Sequence, residues 1–418
     1  LPPFVDWPDH LVKYISGKFY LVNGGHEYDG RELSHLDQNA IEKVGLDIQN
    51  RNIRSLAITS VFSPLTSEHE ELAAKIIREI NPNIQITLSS KLGRIGLLER
   101  ENAALLNASL IELADESFLA FKQALEEFGM IAPLYITQND GTVVNVEQAK
   151  KYPILCLASG PTNSMRGAAF LSNIKNAIVC DIGGTTSDIG CLKDGFPRQA
   201  NNAVEIGGVR TLFRMPELIS IGLGGGTLIK NNPVSVGPES VGHNLVNEAL
   251  VYGGNMMTLT DFAVASNLIE LGDVKKVLNL SKDLLNSINN IIYKKLYENF
   301  EKIRIDSTPL PLIIVGGGSM LAPKSIQGIT EVVQVKYNEV ANAVGAAISQ
   351  VSGEVDRIYR DMNRKDAMSL AENQARVKAI DSGADENSLN TIELEDLPLA
   401  YLPGNAMRIR VRVVGNIK

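Results

Sequence analysis

Positive charge is the minority in this chain: 40 Lys and Arg stand against 48 Asp and Glu, for a formal charge of -8 and a pI near 5.4. That balance withholds the basic face that general nucleic-acid binding needs. The densest basic group, Arg408, Arg410 and Arg412, alternates as one face of a strand does. Cysteine is scarce as well. Cys156, Cys180 and Cys191 sit in apolar settings without metal-ligand spacing or a disulfide framework, and read as core thiols of a cytoplasmic protein. No run approaches the ~20 apolar residues of a membrane helix, and no charged-then-apolar leader opens the chain, so a soluble protein is expected.

Several catalytic signatures are missing too. The absence of G-x-x-x-x-G-K-[ST] excludes a P-loop NTPase, and no G-x-G-x-x-G opens a helix in an N-terminal βαβ unit. There is no H-E-x-x-H zinc helix and no G-x-S-x-G elbow. The five histidines, His10, His26, His35, His69 and His243, are widely spaced, and His69, between Glu68 and Glu70, reads as a solvated residue of a first helical turn.

What is present is ordinary globular material, 418 residues with 44% apolar and 21% charged, enough for two or three domains. Strand and helix patterns alternate, which favours an α/β architecture. Ile53 to Phe62 reads as a strand, Glu68 to Ile80 as a helix capped by Ser67, and Ile84 to Leu88 as the next strand. Residues 99–128 are strongly helical, Pro133 to Thr137 is a short strand, residues 364–382 a helix, and Met407 to Val414 a strand.

The most informative stretch is Ile178-Val-Cys-Asp-Ile-Gly-Gly-Thr-Thr-Ser-Asp188. Three apolar residues suit an interior strand, so Asp181 falls where the chain leaves the sheet. Gly183 and Gly184 remove the Cβ atoms that would hold phosphate oxygens away from backbone N–H groups, and Thr185, Thr186 and Ser187 add hydroxyl donors. An Asp at a strand end can hold Mg²⁺, a hard cation that takes oxygen ligands. The same residues also suit a β-hairpin whose Gly-Gly turn is flanked by solvated Asp and Thr. Two further strands run into glycines and a hydroxyl: Ile219 to Thr227, with Gly224, Gly225 and Gly226, and Leu312 to Ser319, with Gly316, Gly317 and Gly318. Ligands gather beyond the carboxyl ends of strands in open α/β sheets, so the three loops are expected to converge on one cleft. Leu157 to Leu171, rich in small residues and with Ser159 or Gly160 able to cap, reads as a helix that permits close packing.

Together these motifs resemble the actin, sugar-kinase and heat-shock-chaperone ATPase superfamily. Asp181 to Asp188 looks like its second phosphate motif and Val315 to Ser319 like its adenosine motif. More closely the chain resembles the hydantoinase A/oxoprolinase family, through Glu99-Arg100, Asn107-Ala108, Gln138 to Gly141, Ser159-Gly-Pro161, Gly167 to Ala169, Ser220 to Thr227, Val236-Gly-Pro238, Tyr252-Gly-Gly254, Thr260-Asp261, Tyr337 to Ala347 and Leu397 to Asn405. The fold this implies is α/β, a two-lobed actin-like/ribonuclease H-like ATPase with its first lobe truncated and a small α+β C-terminal tail. In that scheme residues 1–158 are the remainder of the first lobe, 159–350 the second lobe with a crossing helix, and 351–418 the tail. Relatives usually begin with another Asp-x-Gly-Gly-Thr strand-turn, and none stands before Leu1.

The resemblance implies ATP and Mg²⁺ as cofactors and ATP-driven ring opening of a cyclic amide such as a hydantoin or 5-oxoproline. Asp181 and Asp188 are the candidate catalytic residues, Asp181 also for the metal. Gly183, Gly184, Thr185 and Thr186 would bind phosphate, Gly224, Gly225, Gly226 and Thr227 would close over it, and Gly316, Gly317, Gly318 and Ser319 would lie against the adenosine. Arg100 and Asp261 are candidates for substrate or structural contacts. The partners implied are the cyclic amide and a second hydantoinase/oxoprolinase subunit, or a homo-oligomer. Two other readings share the nucleotide site: a non-catalytic nucleotide-binding or regulatory subunit, and an ATP-dependent carboxylase-type subunit.

Overall fold

The computed structural model of the chain describes residues 2–15, 18–92, 96–200, 202–304, 308–400 and 404–418. The tail motif Leu397 to Asn405 therefore lies partly outside the described residues, at 401–403. The chain forms two compact units, one of Leu1–Leu157, Ala200–Met215 and Gln350–Lys418, the other of Ala158–Gln199 and Pro216–Ser349.

In the first unit, helices Gln38–Asn50 and Glu68–Ile80 pack on the parallel strands Ser55–Ile58 and Gln85–Leu88, with Ile41, Ile48, Ala73 and Ile77 buried between them. The first strand is shorter than its β-branched run predicts. Ser67 does not cap the following helix, because its backbone is already helical and its hydroxyl donates instead to Glu71 at 3.0 Å. A second sheet runs in the order Asn390–Pro398, Met407–Gly415, Val351–Tyr359, Val143–Asn145, Tyr135–Thr137. Helix Arg364–Asp381 lays Ala367, Ala371, Ala375 and Ala379 on it, one face at i, i+4 spacing. At Gly353 the approach is so close that a Cβ would stand 2.0 Å from the Ala375 carbonyl oxygen.

The alternation read at Arg408, Arg410 and Arg412 is that of Met407–Gly415, and none of the three forms an open basic patch. Arg408 pairs with Asp356, Arg410 with Glu393 at 3.1 Å, and Arg412 with Asp140 at 3.2 Å and Glu393 at 3.0 Å. Arg214 joins Asp140 at 3.2 Å and also meets Glu354. The group holds three acids against Arg214, Arg410 and Arg412, so it is neutralised from within.

The second unit carries the glycine loops. Its elements are α1 (Ser159–Ser172), β1 (Ala177–Ile182), β2 (Ser187–Lys193), β3 (Leu218–Ile221), α2 (Leu259–Ala265), α3 (Lys282–Ile303), β4 (Leu310–Val315), β5 (Ile329–Gln334) and α4 (Ala341–Ala347). The sheet order is β3-β2-β1-β4-β5: the first three strands are antiparallel neighbours, and β1, β4 and β5 run parallel. Alternation along β1 assigns its two faces. Ile178, Cys180 and Ile182 meet Ile288, Ile292, Leu296 and Phe300 of α3, while Ala177 and Val179 meet Met165, Ala168 and Ala169 of α1 and Ala341 of α4. The small residues expected to permit close packing do so between α1 and α4. A Cβ at Gly167 would fall 1.9 Å from the Ala341 carbonyl oxygen, and one at Gly345 would fall 1.8 Å from that of Asn163. Burial raises the thiol pKa of all three cysteines, that of Cys156 to about 11. Among the described residues no helix is long and apolar enough to cross a membrane.

Candidate functional site

β1 and β2 form a hairpin whose turn is Gly183 to Thr186, closed by the Gly183 N–H on the Thr186 carbonyl at 2.9 Å. Asp181 and Asp188 are direct cross-strand partners at its base, both half-buried. The β-hairpin that the residues also suit is present, and its turn consists of the residues expected to meet phosphate. Gly184, Thr185 and Thr186 are exposed, and among the described residues their N–H groups meet no protein acceptor. Three unpaired donors in succession are the ingredient of an anion-binding concavity.

The other two glycine loops converge on this turn. Gly225 and Gly226 donate to the carbonyls of Gly183 at 3.0 Å and Gly184 at 2.6 Å. Gly224 donates to the Thr227 hydroxyl at 2.7 Å, and a Cβ at Gly224 would stand 2.6 Å from the Thr185 nitrogen. All four residues from Gly224 to Thr227 are buried, with their N–H groups spent inside the protein. In this structure they lie against the turn as a buttress. On the other side Gly318 donates to the Ile182 carbonyl at 2.7 Å, and Gly316, at φ +91°, leaves 2.2 Å between its missing Cβ and Asp181 Oδ1. Only glycine admits both that backbone angle and that approach. Gly317 is exposed, and the Ser319 hydroxyl lies 3.4 Å from Asn338 Oδ1.

Electrostatically the two carboxylates differ. Burial raises the Asp188 pKa above its ordinary value, the Asp181 charge adds to the rise, and a hydrogen bond with Ser220 opposes it. Ser220 faces Asp188 across the β2–β3 register. An all-oxygen pair of carboxylates beside free N–H donors fits Mg²⁺ with a polyphosphate, because Mg²⁺ takes few protein ligands and shares phosphate oxygens.

Other candidates have structural duties. Asp261 is fully buried, and its oxygens accept from the N–H groups of Val251 at 2.8 Å and Thr258 at 2.7 Å in a capping box at the start of α2. Arg100, also fully buried, donates to the Ser89 hydroxyl at 2.9 Å and the Ser60 carbonyl at 2.6 Å. His69 is buried rather than solvated. Its Nδ1 accepts the Gly25 N–H at 2.8 Å, so Nε2 carries the proton and points it at Glu32, 3.2 Å away. His26, Glu32 and His69 could gather round a metal ion, yet that tautomer turns a proton toward the position a metal would take.

Sequence reasoning missed Thr260 as a support of the site. Its N–H and hydroxyl both donate to the Gly225 carbonyl, at 2.8 and 2.9 Å. The capping pattern Thr258-Leu-Thr-Asp261 was the available signal, since it marks where α2 begins.

A family model described as hydantoinase/oxoprolinase matches residues 100–276, and one described as the hydantoinase/oxoprolinase N-terminal region matches residues 11–81. The chain belongs to the hydantoinase/oxoprolinase family. Among curated relatives it is 25% identical to an uncharacterized protein of Methanocaldococcus jannaschii, over 72% of this chain and 46% of that protein. It is 25% identical to caprolactamase subunit alpha of Pseudomonas jessenii, over 62% of this chain and 37% of the subunit. With the acetophenone carboxylase gamma subunit of Aromatoleum aromaticum it shares 24% over 57% of this chain and 34% of the subunit. The chain thus spans less than half the length of these relatives. In fold it is similar to the ATP-dependent caprolactamase of Pseudomonas jessenii, at TM-score 0.77 and 18% identity over 95% of this chain and 70% of that one. It is also similar to nucleotide-free acetone carboxylase, at TM-score 0.65 and 15% identity over 95% of this chain and 69% of that one. The fold is α/β, the fold of these two solved structures.

Proposed function

We propose that this hydantoinase/oxoprolinase family member binds ATP with Mg²⁺ at the β1–β2 turn and serves an enzyme that opens a cyclic amide, a hydantoin or 5-oxoproline-like lactam. The observation that carries the reading is the turn itself: three N–H groups with no acceptor among the described residues, beside two abreast carboxylates and held from both sides by glycine loops. Asp181 is the residue that would hold Mg²⁺, with Asp188 beside it. The N–H groups of Gly184, Thr185 and Thr186, with the threonine hydroxyls, would bind and orient phosphate oxygens. Bound there, ATP and Mg²⁺ supply an activated phosphoryl group and neutralise the charge on its oxygens. Gly224 to Thr227 act by positioning, since the Gly225 and Gly226 donors are spent on the turn and those of Gly224 and Thr227 on each other, and Gly316 to Ser319 leave room for a sugar. A second subunit completing the enzyme is supported by relatives that are themselves named subunits.

Phosphate release with ATP, Mg²⁺ and either 5-oxoproline or hydantoin, measured for the wild type and Asp181→Ala in the presence of any co-purifying subunit, tests the reading. Lactam-stimulated release that the substitution abolishes supports it. Release that Asp181→Ala leaves unchanged contradicts it. The acetophenone carboxylase relative favours a second acceptor, so labelled bicarbonate belongs in the same assay. Fixed label points to carboxylation.

A further inference from the structure

β1, β4 and β5 are parallel neighbours, so their carboxyl ends open on the same edge of the sheet. From β1 leads the Gly183 to Thr186 turn, from β4 the Gly316 to Ser319 loop, and from β5 the short segment Val335 to Tyr337. The first two exits belong to the proposed nucleotide site. The third ends in Tyr337, a residue with three unusual properties.

Its backbone is left-handed, at φ +65° and ψ +30°, a region bulky side chains rarely enter. The residue is 55% exposed although it belongs to a well-packed lobe. Its position is nevertheless fixed: the next carbonyl, that of Asn338, accepts the Gly316 N–H at 3.0 Å, and the Asn338 side chain lies 3.4 Å from the Ser319 hydroxyl. Backbone strain at an exposed aromatic persists only where the surroundings impose it, and here the imposing contact is the glycine loop of the candidate site. The Lys336 ammonium stands 4.8 Å from the centre of the same ring, adding a cation beside the π face.

Distance along the sheet edge gives these properties a meaning. Strands lie ~4.8 Å apart, so the exit of β5 is two spacings, roughly 10 Å, from the phosphate turn. An extended nucleotide places its base about that far from its terminal phosphates. Between them the β4 exit presents Gly317, exposed and with nothing within 4 Å of a would-be Cβ, so a sugar can cross there.

We propose that Tyr337 is the base-stacking residue of the nucleotide site, with its phenol ring against a purine and Lys336 at the rim. The proposal rests on the nucleotide reading above. It adds which side chain meets the base. Stacking a base on an aromatic side chain is commonly worth a tenfold or larger change in affinity on removal of the ring.

The test is calorimetric titration of the chain with two probes in Mg²⁺ buffer: ATP, and inorganic tripolyphosphate, which has the phosphates without a base. Tyr337→Ala is expected to weaken ATP about tenfold and to leave tripolyphosphate unchanged. Tyr337→Leu, of similar bulk without a π face, behaves like Ala, and Tyr337→Phe like the wild type. Wild-type ATP affinity in the Leu variant overturns the proposal. So does an equal loss for both probes, which marks a packing role. If the wild type binds tripolyphosphate and ATP equally well, the phosphate site stands and the base subsite falls. If it binds neither, the nucleotide reading itself falls.

Discussion

Thr260 places both of its donors on one acceptor, the Gly225 carbonyl, with N–H and hydroxyl at 2.8 and 2.9 Å. Gly225 in turn donates to Gly183 at 3.0 Å. The start of α2 is therefore two hydrogen bonds away from the turn that would hold phosphate. Thr260→Val removes the hydroxyl and keeps the shape. The expected cost is ~1 kcal/mol of stability and roughly fivefold in Mg-ATP affinity, with Thr260→Ser restoring both. Urea unfolding and calorimetric titration check the two effects separately.

Glycine substitutions divide the turn from its buttress. Alanine at Gly224 would put a Cβ 2.6 Å from the Thr185 nitrogen, against backbone that cannot swing aside. A loss of ~1–3 kcal/mol is expected. Alanine at Gly184 meets nothing within 4 Å, so stability should hold within about 0.5 kcal/mol. Binding is another matter, because that methyl faces the open side of the turn and is expected to weaken Mg-ATP. Loss of stability at Gly184, or its retention at Gly224, would contradict the arrangement described.

A pH dependence follows from Asp188. Burial, the Asp181 charge and, in opposition, the Ser220 hydroxyl leave its carboxyl above the ordinary 3.8. A group raised in the folded state favours folding while protonated, and that contribution fades as pH climbs through the raised value. Asp188→Asn stays neutral throughout. It is expected to raise the thermal midpoint at pH 7 and to lose that advantage below about pH 4, where wild-type Asp188 is protonated as well. Thermal scans across that range measure it.

In the first unit, Asp140 is completely buried against Arg214 and Arg412, each 3.2 Å away. Burial alone would raise its pKa, and the two guanidinium groups outweigh it and hold the carboxyl far below the usual range. Asp140→Asn leaves two buried cations short of a partner. The expected loss is ~3–5 kcal/mol, the range for breaking a buried pair from one side. Since a depressed carboxyl stabilises only when ionised, the gap between wild type and variant narrows as pH falls below the ordinary carboxylate range. Urea midpoints at pH 7 and pH 4 test both statements.

Much of the second unit was legible because its signals are local. Apolar runs at Ile178 and Leu312 mark interior strands, and glycines directly after them mark backbone approach. Where residues 364–382 were expected to be helical, a helix spans Arg364–Asp381, because its alanines repeat every fourth residue. What stayed hidden depends on distant partners. That Gly224 to Gly226 lie under the turn is set by hydrogen bonds across some forty residues, which no periodicity reveals. His69 is buried because Gly25 and Glu32 come to meet it, and charge pattern alone placed it in solvent. The pairing of Arg410 and Arg412 stayed hidden because their neutralising acids, Asp140, Glu354 and Glu393, are scattered through the chain.

The turn from Gly183 to Thr186, with Asp181 at its base, is proposed to bind the phosphates of ATP. Calorimetric titration of the chain with Mg-ATP, wild type beside Asp181→Ala, tests it most directly. Saturable binding that tripolyphosphate competes away and that Asp181→Ala weakens at least tenfold, ~1.4 kcal/mol, is the predicted result. Binding of equal strength in both proteins would contradict it.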